Sequence, residues 1–228
     1  ILTRSAIKQI CQRLGYHATF MCRPHIANSF PSGWHLHQSL VDIHTGKNQF
    51  IPHSHEEHLS ELGNQFLAGI LLHARASCLL AAPTINAYKR YRTQSLAPDR
   101  IQWSYDNKGA MLRVIGGPND AATRIENRIG EPAANPYLYL SSQILSGLDG
   151  IENKAVAPPP VEEPYNSDSE RLPLSLFEAL AAFRDSSFYR AAFGDAFVDY
   201  LTTIKQAELN RFLSEVTDWE QREYFEMF

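Results

Sequence analysis

Two histidines and a serine alternate along one short segment of the sequence. Residues 34–41 predict a β-strand, in which His35, His37 and Ser39 share one face because side chains alternate along a strand. Two imidazoles and a hydroxyl on one face can hold a metal ion or a phosphate group. The alternative interpretation is a strand whose histidines merely face solvent, and the pattern by itself leaves both open.

A second alternating run carries charges of both signs. Arg124, Glu126 and Arg128 would share one face of another predicted strand, with Ile125 on the opposite face. Each guanidinium group can donate two parallel hydrogen bonds to the oxygens of one anion, and a carboxylate between two arginines can bind a cation. This arrangement would suit an anionic substrate together with a metal ion. The alternative is that the three charged side chains pair only with one another and bind no ligand.

Cationic side chains are concentrated between residues 89 and 128, although the net charge of the chain is −4. We expect them to line a pocket for phosphates and carboxylates; a solvated run of charge is the alternative. The acidic balance argues against a nucleic-acid partner, which would require a basic surface. The sequence has no P-loop, dinucleotide fingerprint or nucleophile elbow, so any ATP would be bound by other means. The further cations of this region are Lys89, Arg90, Arg92, Lys108 and Arg113.

The elements that must position these groups are a block of strands between helical regions. This order predicts the α+β class, with an antiparallel sheet flanked by helices and a helical C-terminal part. A proline-rich and acidic connection, 153–172, precedes that part, and Ser175 and Thr217 are predicted to cap helices within it. The predicted helices are 5–14, 56–80, 135–148 and several within 173–228; the predicted strands are 17–22, 34–41, 101–105, 110–115 and 121–129.

Cysteine usage and hydropathy bear on the cellular setting. The three cysteines show no paired spacing, which is typical of a reducing cytoplasm rather than of a disulfide framework. The most apolar run, 66–85, contains His73 and Arg75, so it predicts a buried helix and not a membrane span. We therefore expect a cytoplasmic protein without a membrane partner.

Four motifs, in order along the chain, resemble the catalytic domain of glutamine synthetases. Agreement of four motifs and of their spacing is much more specific than any one of them. The resemblance implies that residues 1–228 form the C-terminal portion of such a catalytic domain. The motifs are Ser32–Ser39 for the SGxHxHxS segment, Asn86–Arg90 for the NSYKR loop, Arg124–Arg128 with Pro132–Tyr137 for the RxExR…ANPY block, and Gly147–Ile151 for the turn that follows.

The resemblance also implies an activity and a role for each matching residue. The γ-phosphoryl group of ATP would move to the side-chain carboxylate of glutamate, and an amine would then displace phosphate from the γ-glutamyl phosphate. Mg²⁺ or Mn²⁺ would bridge the ATP phosphates. The implied residues are His35 and Glu126 for the metal ion, Arg90, Arg128 and His37 for glutamate, Ser39, Arg113 and Arg124 for the nucleotide, and Arg113, Lys108 and Arg124 for catalysis.

Departures from the family pattern concern the phosphoryl group and the acceptor. Lys108 stands where the family usually has an arginine, and Leu96 stands where ammonia-using members carry a glutamate. Phe30 and Pro31 replace Asn-Gly near the glutamate site, which makes it more apolar than an ammonium site should be. We therefore predict an organic amine, such as an aromatic amine or a polyamine, as the acceptor. A glutamine synthetase that uses ammonia and an inactive family member with a structural or binding role are the alternatives.

The resemblance finally implies that part of the site lies outside the chain. In the family, the remaining metal carboxylates and a small β-grasp domain precede the segment that corresponds to Ile1. The β-grasp domain completes the active site of a neighbouring subunit. We expect residues 1–228 alone to be inactive, and the parent enzyme to be a homo-oligomer with active sites between subunits. A phosphotransferase of the guanidine-kinase type is a further alternative, which the NSYKR-like loop disfavours.

Overall fold

A computed structural model describes residues 2–91 and 97–228 of the chain. Within these residues, helices surround a small sheet of short strands, and the predicted α+β class is confirmed. The helices are α1 Leu2–Arg13, α2 Glu61–Leu72, α3 Ala74–Ala81, α4 Pro136–Glu152, α5 Leu176–Arg184, α6 Ser187–Phe193, α7 Asp195–Ser214 and α8 Asp218–Tyr224, with a 3₁₀ turn at Ala87–Arg90. The strands are β1 Leu36–Gln38, β2 Trp103–Tyr105, β3 Leu112–Ile115 and β4 Arg124–Asn127.

The sheet has the order β1-β4-β3-β2, with β4 antiparallel to both β1 and β3. Because β2 runs parallel to β3, the prediction of an antiparallel sheet is wrong for this pair. The reason is the connection 106–111, which doubles back beside β2 instead of forming a hairpin. It starts at Asp106, whose φ of 41° lies in the left-handed region.

The proline-rich connection covers the outer edge of β2. The backbone N–H of Val161 donates to the carbonyl oxygen of Trp103 at 2.9 Å, and Trp103 Nε1 donates to the carbonyl oxygen of Pro158 at 2.7 Å. Gln102 Nε2 donates to the carbonyl oxygen of Pro164 at 2.8 Å. An unpaired strand edge is a template for pairing with another chain. The segment predicted only as a connection therefore also protects the sheet.

Two predicted elements differ from the structure. Residues 17–22 form no strand, because no neighbouring strand pairs with them in the described part of the chain. The predicted helix 56–80 is two helices, α2 and α3, which meet at His73. The ring of His73 stacks on Phe188 with 3.7 Å between centroids, and its Nε2 lies 2.7 Å from Asp149 Oδ2. These contacts with α6 and α4 interrupt a helix that periodicity alone would continue.

Helices α2 and α4 cross with their backbones in contact. A Cβ added to Gly150 would lie 2.6 Å from the backbone nitrogen of Gly69 and 2.7 Å from its Cα. One turn earlier in α4, Gly147 makes room for the buried ring of Phe66. Only residues without a Cβ allow so close an approach. This crossing fixes α4, which begins shortly after β4 ends, against α2.

The predicted N-caps of the C-terminal part are confirmed. Ser175 Oγ accepts a hydrogen bond from the backbone N–H of Glu178 at 3.2 Å, and Thr217 Oγ1 accepts one from that of Glu220 at 3.2 Å. The carboxylate of Glu220 accepts in turn from the backbone N–H of Thr217 at 2.7 Å, which completes a capping box. The predicted helical part thus folds as α5 to α8.

Helix α1 lies at the surface and buries none of its side chains. Its apolar residues Ile7 and Ile10 are exposed. Arg4 connects α1 to the chain after β4, since Nη1 donates to the carbonyl oxygen of Pro132 at 2.7 Å and Nη2 to that of Ala134 at 3.0 Å.

No helix within residues 2–91 and 97–228 has the length and apolar character needed to cross a bilayer. The three cysteines, Cys11, Cys22 and Cys78, are all free thiols.

Candidate active site

Strand β4 carries the residue at the centre of the site. Glu126 lies opposite His37 of β1 on one side and opposite Arg113 of β3 on the other. Directly opposed residues of antiparallel strands present their side chains on the same face of the sheet. Ile125 points to the other face and is fully buried, as the alternating pattern predicts. The register therefore brings an imidazole, a carboxylate and a guanidinium into one row across three strands.

The carboxylate of Glu126 is buried and surrounded by cationic and imidazole groups. Oε1 lies 2.9 Å from His35 Nδ1, 2.9 Å from Arg128 Nη1 and 3.7 Å from His37 Nε2. Oε2 accepts from Arg113 Nη1 at 3.1 Å. Burial raises the pKa of Glu126, but the hydrogen bond from His35, the charge of Arg128 and the hydrogen bond from Arg113 outweigh it, and the pKa falls to about 2. Glu126 is thus a fixed anion at neutral pH.

Arg124 orients His37. Its Nε donates to His37 Nδ1 at 3.1 Å, so that this ring nitrogen is the acceptor and Nε2 carries the proton. Burial lowers the pKa of His37, and the charges of Arg124, His35 and Arg113 lower it further, against the opposing charge of Glu126. The lowered pKa favours the neutral ring, whose Nε2 lies 3.7 Å from the central carboxylate.

The donor atoms at His35 and Glu126 suit a divalent cation in part. Carboxylate oxygen and imidazole nitrogen are ligands that Mg²⁺ and Mn²⁺ accept, Mn²⁺ more readily for imidazole. No group of three or more histidine, cysteine or acidic side chains is arranged to hold a metal ion in the described part of the chain. His35 and Glu126 fit as two ligands, and the others would be supplied by phosphate oxygens, water or protein groups beyond this set.

Arg113 joins the central carboxylate to the loop between β2 and β3. Its Nε donates to Asp106 Oδ1 at 2.9 Å while Nη1 reaches Glu126. Asp106 was not among the residues predicted from sequence; its only signal is its place two positions before Lys108. The side chain of Lys108 is exposed on this loop, and its carbonyl oxygen accepts from Arg128 Nε at 3.0 Å. The backbone of Lys108 therefore contacts Arg128, while its ammonium group lies at the surface.

Arg90 is buried and donates to the backbone that follows β4. Nη1 donates to the carbonyl oxygen of Gly130 at 3.0 Å, and Nη2 to those of Arg128 at 3.0 Å and Ile129 at 2.8 Å. A Cβ at Gly33 would lie 2.5 Å from Arg90 Nη1 and 2.7 Å from His35 Nε2, so a larger residue there would have to displace both side chains. The side chain of Arg90 is thus bonded to the backbone segment that begins with Arg128.

Ser39 lies apart from the side chains around Glu126 and lines a neighbouring cavity of about 600 Å³. Lys47, Asn48 and His53 also line this cavity. Asn48 Nδ2 donates to the carbonyl oxygen of Thr123, just before β4, at 2.6 Å. The sequence showed the segment around Lys47 only as a turn, so these cavity residues were missed.

Two residues of the sequence predictions, Arg92 and Leu96, lie outside the described residues.

Replacing Arg113 with lysine should lower turnover about tenfold in the full-length protein, because one ammonium group cannot reach both Glu126 and Asp106 as the planar guanidinium does. Steady-state kinetics with varied ATP would measure this. Arg75→Lys, a cation that pairs with Glu170 at 3.4 Å and lies away from the sheet face, is the matched control and should change turnover less than about twofold. Equal effects of the two substitutions would contradict a role for Arg113 in the site.

The site as a whole is a sheet face on which guanidinium groups surround a buried, ionised carboxylate. This combination is of the kind that phosphoryl-transfer enzymes use to bind anions together with a cation. A family model described as "Glutamine synthetase, catalytic domain" matches residues 1–224, and the chain belongs to that family.

The relatives of the chain include proteins named for organic amines. "Gamma-glutamylanilide synthase" of Acinetobacter sp is 50% identical over 240 residues, which cover 100% of this chain and 48% of the relative. "Glutamate–isopropylamine ligase" of Pseudomonas sp is 37% identical over 231 residues, covering 100% of this chain and 50% of the relative. A solved structure described as "GmaS/ADP complex-Conformation 1" matches with a TM-score of 0.86 at 29% identity, over 97% of this chain and 52% of that one. The chain spans about half the length of the curated relatives it matches.

Proposed function

We propose that the protein containing this chain is an ATP-dependent ligase that joins the γ-carboxylate of glutamate to an organic amine through a γ-glutamyl phosphate. The observation that carries the proposal is the gathering of three arginines on one side of the sheet, where Arg113 and Arg128 contact Glu126 and Arg124 contacts His37. The relatives named for anilide and isopropylamine products support the same activity.

Charge neutralisation is the main task of such a site. The γ-phosphate of ATP and the carboxylate of glutamate are both anions, and they repel each other on approach. Arg113 and Arg124 would bind the phosphates and hold them in line with the carboxylate. A Mg²⁺ or Mn²⁺ ion, held in part by His35 and Glu126, would supply further neutralisation of the phosphates.

The two substrates of the first step would occupy adjacent places. We assign the nucleotide to the side of Ser39 and its 600 Å³ cavity. A solved structure of the same fold is described as an ADP complex, which supports nucleotide binding without showing where it occurs. We assign glutamate to Arg90 and Arg128, with His37 as a neutral donor beside the transferring group. Lys108 would reach the phosphoryl group from its surface loop.

The acceptor would be an organic amine rather than ammonia. Phe30 is 89% exposed and Pro31 lies beside it, so an apolar surface stands next to the motif that carries His35. An aromatic amine is mostly neutral at pH 7 and needs no carboxylate to bind it. Apolar surroundings favour such an amine over an ammonium ion.

An amine panel tests both parts of the proposal. With ATP and glutamate, the full-length protein should use aniline or isopropylamine with a kcat/KM at least about tenfold above that for ammonium. ADP release and the mass of the γ-glutamyl product are the measurements. Reactions without glutamate and without amine are the controls. Best turnover with ammonium would refute the acceptor and favour a glutamine synthetase; no ADP release that needs both substrates would refute the ligase.

We also propose a setting for this activity. Residues 1–228 would be the C-terminal portion of the catalytic domain. The protein would be a cytoplasmic homo-oligomer whose active sites lie between subunits, and light scattering of the full-length protein would measure its size.

A further inference from the structure

Glu131 binds together the two segments that carry Arg90 and Arg128. It is almost fully buried, and its backbone N–H donates to the carbonyl oxygen of Ala81 at 3.0 Å. Its Oε1 accepts from the backbone N–H of Thr84 at 3.0 Å and from Thr84 Oγ1 at 2.8 Å. Segment 81–91 is therefore held to segment 128–131 at this point.

Thr84 extends this constraint to the turn that carries Arg90. Its hydroxyl donates its one proton to Glu131, and the same oxygen accepts from the backbone N–H of Ala87 at 3.1 Å. Ala87 is the first residue of the 3₁₀ turn Ala87–Arg90. The start of the turn is thus fixed through one hydroxyl by the carboxyl group of Glu131.

The other end of the turn is held by the same backbone. Arg90 donates to the carbonyl oxygens of residues 128–130, and Tyr91 Oη donates to that of Ile129 at 2.7 Å. Both ends of the turn are therefore positioned by the segment that begins with Arg128. A shift at Glu131 would move Arg90 relative to Arg128.

The second carboxylate oxygen of Glu131, Oε2, shows that packing alone does not explain a glutamate at this position. Oε2 is buried without a hydrogen-bond partner in the described part of the chain, an arrangement that lowers stability. Burial raises the pKa of Glu131, against the hydrogen bonds from Thr84 and the charges of Arg90 and Lys205. An apolar side chain at this place would avoid the unpartnered oxygen but could not hold Thr84.

We propose that Glu131 is a positioning residue, which acts through Thr84 on the turn that carries Arg90 and so determines the affinity for glutamate. This inference rests on the proposed function, because it takes Arg90 as a group that binds the substrate carboxylate. Because it is buried, Glu131 would act on the substrate only through these contacts.

The test compares Thr84→Val with Thr84→Ser in the full-length protein. Valine keeps the branched shape and removes the hydroxyl; serine keeps the hydroxyl. Thr84→Val should weaken glutamate binding about tenfold by calorimetry, change ADP binding less than about twofold, and speed amide hydrogen exchange in residues 84–90 but not in α4. Thr84→Ser should bind glutamate within about twofold of the unaltered protein.

Glu131→Gln is the second variant. Its amide oxygen can accept from Thr84 and its amide nitrogen takes the place of Oε2, so glutamate affinity should stay within about threefold. A larger loss, or equal weakening of glutamate and ADP binding by Thr84→Val, would overturn the inference. Faster exchange in residues 84–90 without weaker glutamate binding would overturn it as well. An unaltered protein that binds ADP but no glutamate would contradict the proposed function itself, and the inference with it.

Discussion

Replacing Glu126 with glutamine should reduce glutamate-dependent ATP turnover about a thousandfold in the full-length protein. The carboxylate is 2% exposed and ionised, and it lies 2.9 Å from both His35 Nδ1 and Arg128 Nη1. Glutamine preserves the shape and one acceptor oxygen. It removes the charge that would hold a cation and that balances the guanidinium groups. The measurement is kcat at saturating substrates with Mg²⁺ and with Mn²⁺.

Glu152→Gln is the control for this substitution, because Glu152 is an exposed carboxylate at the end of α4, far along the chain from the sheet. It should leave turnover within about twofold of the unaltered protein. A thermal melt of both variants separates loss of chemistry from loss of fold. Glu126→Gln with more than about a tenth of normal turnover would show that this carboxylate is not central.

Replacing Gly150 with alanine should lower the free energy of unfolding by about 3 kcal/mol. The added Cβ would lie 2.6 Å from the backbone nitrogen of Gly69 in α2 and would also press on the carbonyl oxygen of Gln65. Backbone atoms cannot rotate away as a side chain can, so the two helices must separate. Urea unfolding followed by circular dichroism would measure the loss.

Leu148→Ala is the matched control on the same helix. Leu148 is 46% exposed, two residues before Gly150, and its truncation removes surface without touching the helix crossing. It should change the free energy of unfolding by less than about 1 kcal/mol. If Gly150→Ala were no more destabilising than this control, the backbone contact between α2 and α4 would not limit stability.

Alternation predicted correctly which residues share a face within β1 and β4, but not beyond their ends, since Ser39 follows β1 and lines a separate cavity. His37, Glu126 and Ile125 lie on the sides that the pattern assigned to them. What the pattern could not supply is the register between strands, which decides that His37 and Arg113 both lie opposite Glu126. Register depends on turns and on the contacts of both sheet faces, which lie far apart in sequence.

Contacts from distant elements also explain the missed features. His73 interrupts a predicted helix because Asp149 and Phe188 hold its ring, and neither is near it in sequence. Asp106 joins the site only because the connection after β2 turns back on itself. The prediction that depends on Leu96 lies outside the described residues and stays a prediction.

The hydrogen bonds of Arg90 have a consequence for how the sheet is held. They join residues 38 to 40 positions apart, with the whole of β2, β3 and β4 between them. Closing a loop of this length costs conformational entropy, which the contacts at its two ends must offset. Arg90 therefore ties together the two ends of a segment that contains the whole of β2, β3 and β4. Replacing Arg90 should therefore loosen the attachment of this sheet segment to the 3₁₀ turn Ala87–Arg90.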